Sequence, residues 1–268
     1  MRNILFIVSF FIASCTTTKQ FRLPVKASDA PLTGAEFYRI AATYNWQQRD
    51  SFAVQQILAG NIPFFLKQLK KVDVSITDST TGKIIAAYYF VMPDYLSVGN
   101  DDDWARIPLT PMAAQKIADS FHCFLPTRRM VDDIYRSASI KLEPIPMFAF
   151  RDSTVTMWQH HLMIEGQRKE RKGLIAGIKK DVVISGKLLH DAKKDRVAIY
   201  GWHKPDGKPI QPLYTGHVNW YVDYSHGNRL IYEYIWVEGK KMHYKEVLQH
   251  PLYHRLICDE AYCDVYGY

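Results

Sequence analysis

The chain has 268 residues, of which 47% are hydrophobic and 13% aromatic, a balance that excludes a disordered polymer and suits a globular protein. Its 34 basic and 27 acidic residues leave a formal charge of +7, which favours anionic partners. The basic side chains form only short runs, at residues 67–71, 168–172 and 240–241, too short for a nucleic-acid-binding tract.

Met1-Arg2-Asn3 is a short basic start, residues 4–12 are apolar except for Ser9, and Ile12-Ala13-Ser14-Cys15 puts small residues at a cleavage point. That is the layout of a secretory signal, with an apolar stretch too short to span a bilayer. The Ile-Ala-Ser-Cys end resembles the lipobox of bacterial lipoproteins. The resemblance implies a signal peptide at residues 1–14 and a diacylglycerol thioether on Cys15. The mature protein would then be held to a membrane of the cell envelope by lipid, on the periplasmic or outer surface, since a multiply acylated N-terminus anchors stably. Export removes the usual reason to expect nucleic acid as a partner. Residues 15–31, the lipidated cysteine and a polar stretch without periodicity, read as a tether. Residues 32–268 are expected to form one globular domain. If it has an internal join, the proline-broken stretch near residues 143–152 is its place.

Thr33-Gly34-Ala35-Glu36 is a capping-box pattern, followed by Phe37, Ile40 and Ala41 at helical spacing. A second helix fits residues 47–59, stopped by Gly60-Asn61. Val72, Val74 and Ile76 alternate strictly, Thr81-Gly82 marks a turn, and residues 84–92 are apolar, which predicts a hairpin. Thr110-Pro111 and Pro126-Thr127 open further helices, and residues 154–169 predict another despite Gly166. The texture then changes. Residues 174–184, 197–203, 217–224 and 230–237 read as strands, with a tight turn at Asp206-Gly207, and residues 244–258 as a terminal helix broken at Pro251. The expected class is α+β: a helical N-terminal half with a hairpin, and a strand-rich C-terminal half with an antiparallel or mixed sheet.

Cys123, Cys258 and Cys263 allow one disulfide and one leftover thiol in an oxidising compartment. A local bridge or a buried thiol fits them better than a metal site, because no second cysteine pair accompanies Cys258 and Cys263. Asn100-Asp101-Asp102-Asp103 lacks the spaced ligands of a calcium loop and reads as a helix cap or solvated turn. His160-His161 has no metal-ligand spacing, and Asp132-Asp133 is expected to decorate the outer face of its helix. No cofactor is implied, because no phosphate-binding loop, serine elbow or dinucleotide fingerprint occurs.

Histidine, aspartate, serine and large aromatics concentrate between Lys179 and Arg229. Read as a strand, residues 217–225 place His217, Asn219, Tyr221, Asp223 and Ser225 on one polar face. Along a straight strand His217 and Asp223 would be ~20 Å apart and unable to touch. The candidate catalytic residues are His217, Asp223, Ser225, His226 and His203: an aspartate can orient a histidine, and a histidine can act as general base. Lys179 and Arg229 are candidates to stabilise an oxyanion or hold a carboxylate, and Trp220 and Tyr221 to contact substrate.

Ser225-His226-Gly227 with Arg229, and His217 upstream, resembles part of the L,D-transpeptidase motif of bacterial cell-wall enzymes. Asn228 stands where that family has its nucleophilic cysteine, and the arginine is one place early, so the resemblance does not imply transpeptidase activity. The Asp-Tyr-Ser-His-Gly block also resembles one in exported bacterial proteins without an assigned reaction. The expected function is a cell-envelope hydrolase acting on glycan or peptidoglycan-type material, with an anionic glycan as its partner. The alternatives are a non-catalytic glycan-binding lipoprotein stacking sugars on Trp202, Trp220, Tyr221 and Tyr224, and a metal-dependent hydrolase using His203, His217 and Asp223 or His226.

Overall fold

Thr33 accepts from the Glu36 N–H while the Glu36 carboxylate accepts from the Thr33 N–H, closing the reciprocal cap of α1 (Gly34–Ala41). The computed structural model describes residues 31–268, so the signal, Cys15 and nearly all of the tether lie outside the described residues. Asn45 and Gln48 cap α2 (Trp46–Leu58) in the same way. A 3-10 turn at Phe64–Lys67 leads into the expected hairpin, β1 (Lys70–Thr77) against β2 (Ile84–Val91), antiparallel from Lys70↔Val91 to Thr77↔Ile84. A second small hairpin joins β3 (Ser97–Gly99) to β4 (Trp104–Arg106). The acidic cluster between them is a turn and a cap: Asn100 Oδ1 accepts from the Asp102 and Asp103 N–H groups, and Asp103 accepts from Ala35 at the start of α1.

Thr110 and Thr127 cap α3 (Pro111–Ser120) and α4 (Arg128–Ser137), with β5 (Cys123–Phe124) between them. Then come β6 (Ile140–Lys141), α5 (Thr154–Arg168), β7 (Ile175–Ala176) and β8 (Lys180–Val183). The remaining elements are α6 (Lys187–His190), β9 (Ala198–His203), β10 (Pro209–Tyr214), β11 (His226–Gly227), β12 (Ile231–Val237), β13 (Lys240–His243) and α7 (Tyr244–Gln249), with a 3-10 turn at Tyr253–Leu256.

The strands form two main sheets. One has the order β1-β2-β12-β13 with β5 also on β12; the other runs β10-β9-β8-β11, with β11 parallel to β8 and the rest antiparallel. The class is α+β, with helices mainly in the N-terminal half and strands mainly in the C-terminal half. One buried cluster draws side chains from Phe37 through Val182 and Tyr224 to Val265, so both halves contribute to a common core. Cys258 and Cys263 form a disulfide, and Cys123 is a buried free thiol.

Two expectations are corrected, and one strand was not expected. Residues 217–224 are not a strand: apart from one bridge between Val218 and Arg196, they form turns and extended coil. The edge strand β10 was hidden because Pro209 and Pro212 remove ladder donors, which is tolerable only at an edge. Asp132 and Asp133 do not decorate an outer face. Asp133 is buried and pairs with Arg136, while Asp132 bonds to β9.

Candidate functional site

The segment between β10 and β11 doubles back instead of extending. The Tyr221 N–H donates to Val218 O and the His226 N–H to Asp223 O. Asp223 is the pivot of the second turn: its Oδ1 accepts from the Ser225 N–H at 2.8 Å and the Ser225 hydroxyl at 2.5 Å, an aspartate-centred turn of the kind that suits this residue type. Its Oδ2 accepts from Arg151 Nη2 at 3.1 Å and from the Tyr221 hydroxyl at 3.3 Å. Arg151 comes from the proline-broken stretch, which is held against the segment by Tyr224 N–H to Arg151 O and by the Tyr224 hydroxyl at Met147.

β11 then places His226 directly beside Lys180 of β8, and the Lys180 N–H donates to Ser225 O at 2.7 Å. Gly227 is required at the next position, because a Cβ there would lie 2.6 Å from the Tyr95 ring and 2.7 Å from Lys179 Cβ. The His226 ring is fully buried, 6.1 Å from the His217 ring and 6.0 Å from that of Tyr221. Neither of its ring nitrogens has a hydrogen-bond partner among the described residues. A buried polar group without a partner is uncommon in native proteins and calls for a reason.

Burial lowers the His226 imidazole to about 4, with Lys180, His217 and Lys179 pushing the same way and Asp223 opposing. Burial also lowers His217, against the attraction of Asp223. Both rings are therefore neutral and able to accept a proton at neutral pH. Burial raises the Asp223 carboxyl, but His226, the two Ser225 hydrogen bonds and Lys180 more than offset this, and the group stays ionised. Burial lowers the Lys180 ammonium despite Asp223; its nitrogen lies 5.1 Å above the Trp202 ring. The cluster thus combines a neutral base, an anion beside it and two cations, Lys180 and Arg151.

The remaining sequence candidates fall in other places. Ser225 is fully buried and donates its hydroxyl to Asp223, not to a histidine, so it holds the turn and is not arranged as a nucleophile. Lys179 points to the other side of its strand neighbour. Its ammonium donates to Tyr224 O and meets His160 Nδ1 at 3.2 Å, and burial lowers it to about 7. Arg229 ties the residue after β2 to β7: it donates to Met92 O and Ile175 O at 2.9 and 2.6 Å and packs 4.2 Å from the Tyr95 ring. Neither Lys179 nor Arg229 offers a free face to a substrate. Tyr221 borders the cluster, and Trp220, its neighbour in the chain, is exposed. Trp202 and Tyr224 are buried, so the four-ring platform does not form at the surface.

His203 belongs to a second cluster. Its Nε2 lies 2.8 Å from Asp132 Oδ1, the Tyr200 hydroxyl donates to the same carboxylate at 3.0 Å, and Tyr135 stacks on the ring at 4.5 Å. This group lines an open pocket of about 420 Å³ that also includes Arg136 and Lys141. Among the described residues no three of His, Cys, Asp and Glu converge closely enough to hold a metal ion, which leaves the metal-dependent alternative without a ligand set there.

Sequence reasoning missed Arg151, Lys180 and Asp132 as members of these clusters. Lys180 carries a readable signal, since it alternates with Lys179 along a strand that was expected. Arg151 and Asp132 carry none, because their partners lie 72 and 71 residues away. The chain matches no protein-family model, no curated protein and no solved structure.

Proposed function

We propose that the chain is an exported lipoprotein anchored through Cys15, and that its His226–Asp223 cluster hydrolyses glycan or peptidoglycan-type material of the cell envelope. The observation that carries the reading is the buried, unpartnered His226 ring held beside an ionised carboxylate. A neutral imidazole there accepts a proton from a water molecule as the water oxygen attacks the substrate, and later returns it to the leaving group. Asp223 stabilises the imidazolium formed between these steps, and Lys180 and Arg151 stand where developing negative charge needs cations. His217 and Tyr221, half-buried with their rings 6.1 and 6.0 Å from that of His226, carry protons or shape access.

The surroundings suit a glycan. Phe148 and Phe150 are 91% and 82% exposed on the stretch that delivers Arg151, and Trp220, next to Tyr221 in the chain, is 47% exposed. Exposed rings beside polar groups are suited to stacking on sugar faces. The same rim also favours the second reading, a glycan-binding lipoprotein without catalysis.

The test incubates the purified chain with peptidoglycan and with soluble envelope glycans, and measures release of fragments. Hydrolysis is expected from the wild type, with Asp223→Asn slower by ~10²-fold or more. Binding of the same material without fragment release establishes the second reading, and neither binding nor release overturns both. The anchor has its own test. Cys15→Ala is expected to move the protein from the membrane to the soluble fraction with its fold intact. Retention on membranes after a wash at ~1 M salt, which screens electrostatic attachment, would overturn the lipid anchor.

A further inference from the structure

The two short basic runs at residues 67–71 and 168–172 are far apart in sequence, yet they meet across one cleft of about 210 Å³. Lys70 at the start of β1 lines the cleft with Arg168, the last residue of α5, and with Arg171 and Lys172 just beyond it. The single carboxylate in the lining, Asp101, already accepts from the Phe65 N–H at 3.2 Å. Lys70 and Lys172 line the cleft with neither an ion pair nor a side-chain hydrogen bond among the described residues.

The end of a helix would ordinarily repel an anion, because its last carbonyls are unpaired and carry partial negative charge. Arg171 removes that obstacle. Its Nε donates to Arg168 O at 2.9 Å and its Nη2 to Gln167 O at 2.8 Å. Arg168 is held flat by aromatic rings, its guanidinium 5.1 Å from Trp104 and 5.9 Å from Phe65, with Glu165 3.3 Å from Nε. Its terminal nitrogens have no hydrogen-bond partner among the described residues. Trp104 and Phe65 meet edge to face at 4.9 Å and make a rigid wall, and Phe64 stands 54% exposed at the rim.

A preorganised guanidinium, two unpaired ammonium groups and an exposed ring are what a small ligand with an apolar ring face and an anionic substituent requires. We infer that this cleft binds an acidic sugar unit, its carboxylate or phosphate against Lys70, Arg168 and Lys172 and its ring against Phe64. The site is separate from the His226 cluster and does not depend on any hydrolysis there.

The experiment titrates the purified full chain, in detergent, with glucuronic acid, glucose 1-phosphate and glucose, reading the Kd by calorimetry. At least one of the two anionic sugars is expected to bind roughly tenfold or more tightly than glucose. Raising salt from ~0.1 to ~1 M, which shortens the screening length from ~10 to ~3 Å, should weaken it. The double variant Lys70→Glu with Lys172→Glu is expected to lose anion binding roughly tenfold or more with an unchanged melting temperature, since neither side chain has a partner to lose. Preference for glucuronic acid assigns the cleft to carboxylate sugars, and preference for glucose 1-phosphate to phosphate sugars. Equal binding of glucose, no binding at ~10 mM, or anion binding indifferent to the double charge reversal overturns the proposal. Asp223→Asn should bind the anionic sugars as the wild type does, which keeps the fate of this cleft distinct from that of the hydrolase reading.

Discussion

Asp94→Ala is expected to cost about 3–5 kcal/mol of folding free energy, because it leaves a buried guanidinium without its main counter-charge. Arg106 is 1% exposed and Asp94 fully buried. The pair is bidentate, with Nε to Oδ1 at 2.9 Å and Nη2 to Oδ2 at 2.6 Å, the geometry in which arginine and carboxylate interact most strongly. Burial pushes the Asp94 carboxyl up, yet Arg106 outweighs it and holds the group below its ordinary value. Glu165 also reaches Nη2 at 2.9 Å and His161 Nδ1 lies 3.3 Å from Nη1, so part of the charge stays compensated and the low end of the range is the better expectation. At ~2–4 °C per kcal/mol for a domain of this size, the melting temperature should fall by ~6 °C or more. Replacing both partners together, Asp94→Leu with Arg106→Met, should restore much of the loss, since the penalty comes from one unpaired charge and not from the absence of the bridge. A single-variant loss below ~1 kcal/mol, the range of an exposed pair, would mean that this bridge is not buried in the folded protein.

That bridge also marks a boundary of what the sequence could reveal. Local features were legible because their causes are local. Thr33 with Glu36, Thr110 with Pro111, and Thr127 each announce a helix start within four residues, and Val72, Val74 and Ile76 announce a strand by alternation. The Arg106–Asp94 pair, the Arg151–Asp223 pair and the Asp132–His203 pair join residues whose proximity depends on the whole fold. The reading of residues 217–224 failed for a specific reason. Val218, Trp220, Val222 and Tyr224 alternate with polar residues as a strand should, but Asp223 and Ser225 bond to each other and bend the backbone. Short polar side chains that capture nearby N–H groups compete with ladder formation, and here they prevail. The reversal gives the opposite of the straight-strand expectation: His217 feels the Asp223 charge and lies near His226. The residue types of the cluster were therefore visible in the sequence, while its geometry was not.

The same unpartnered ring yields the last prediction, which sets function against stability. His226→Leu should abolish hydrolysis, a loss of ~10²-fold or more if the imidazole is the base, and should at the same time stabilise the protein. A buried polar group without a hydrogen bond costs ~1–3 kcal/mol relative to an apolar one, and neither His226 nitrogen has a partner among the described residues. Asp223 loses the His226 interaction that does most to hold its carboxyl down, but Ser225, Arg151 and Tyr221 still donate to it. The gain should grow in mild acid. The folded imidazole is lowered to about 4, whereas an unfolded one titrates near ~6.5. Between those values the unfolded chain binds a proton that the folded chain refuses, so stability falls as pH drops from ~6.5 towards 4. His160, His161 and His217 are lowered as well and add to that fall. Asp181, raised by burial to about 6, opposes it, since its folded form binds a proton earlier than the unfolded one. Burial raises Asp133 and Glu260 too, and they act in the same direction as Asp181; all three remain in the variant, so they cancel when it is compared with the wild type. His226→Leu removes one of the four histidine contributions, so urea unfolding should show a larger stability gain at pH 5 than at pH 7. If the variant is instead less stable at both values and still cleaves its substrate, then His226 is a packed structural ring and the base must lie elsewhere, with His203 and Asp132 next in line.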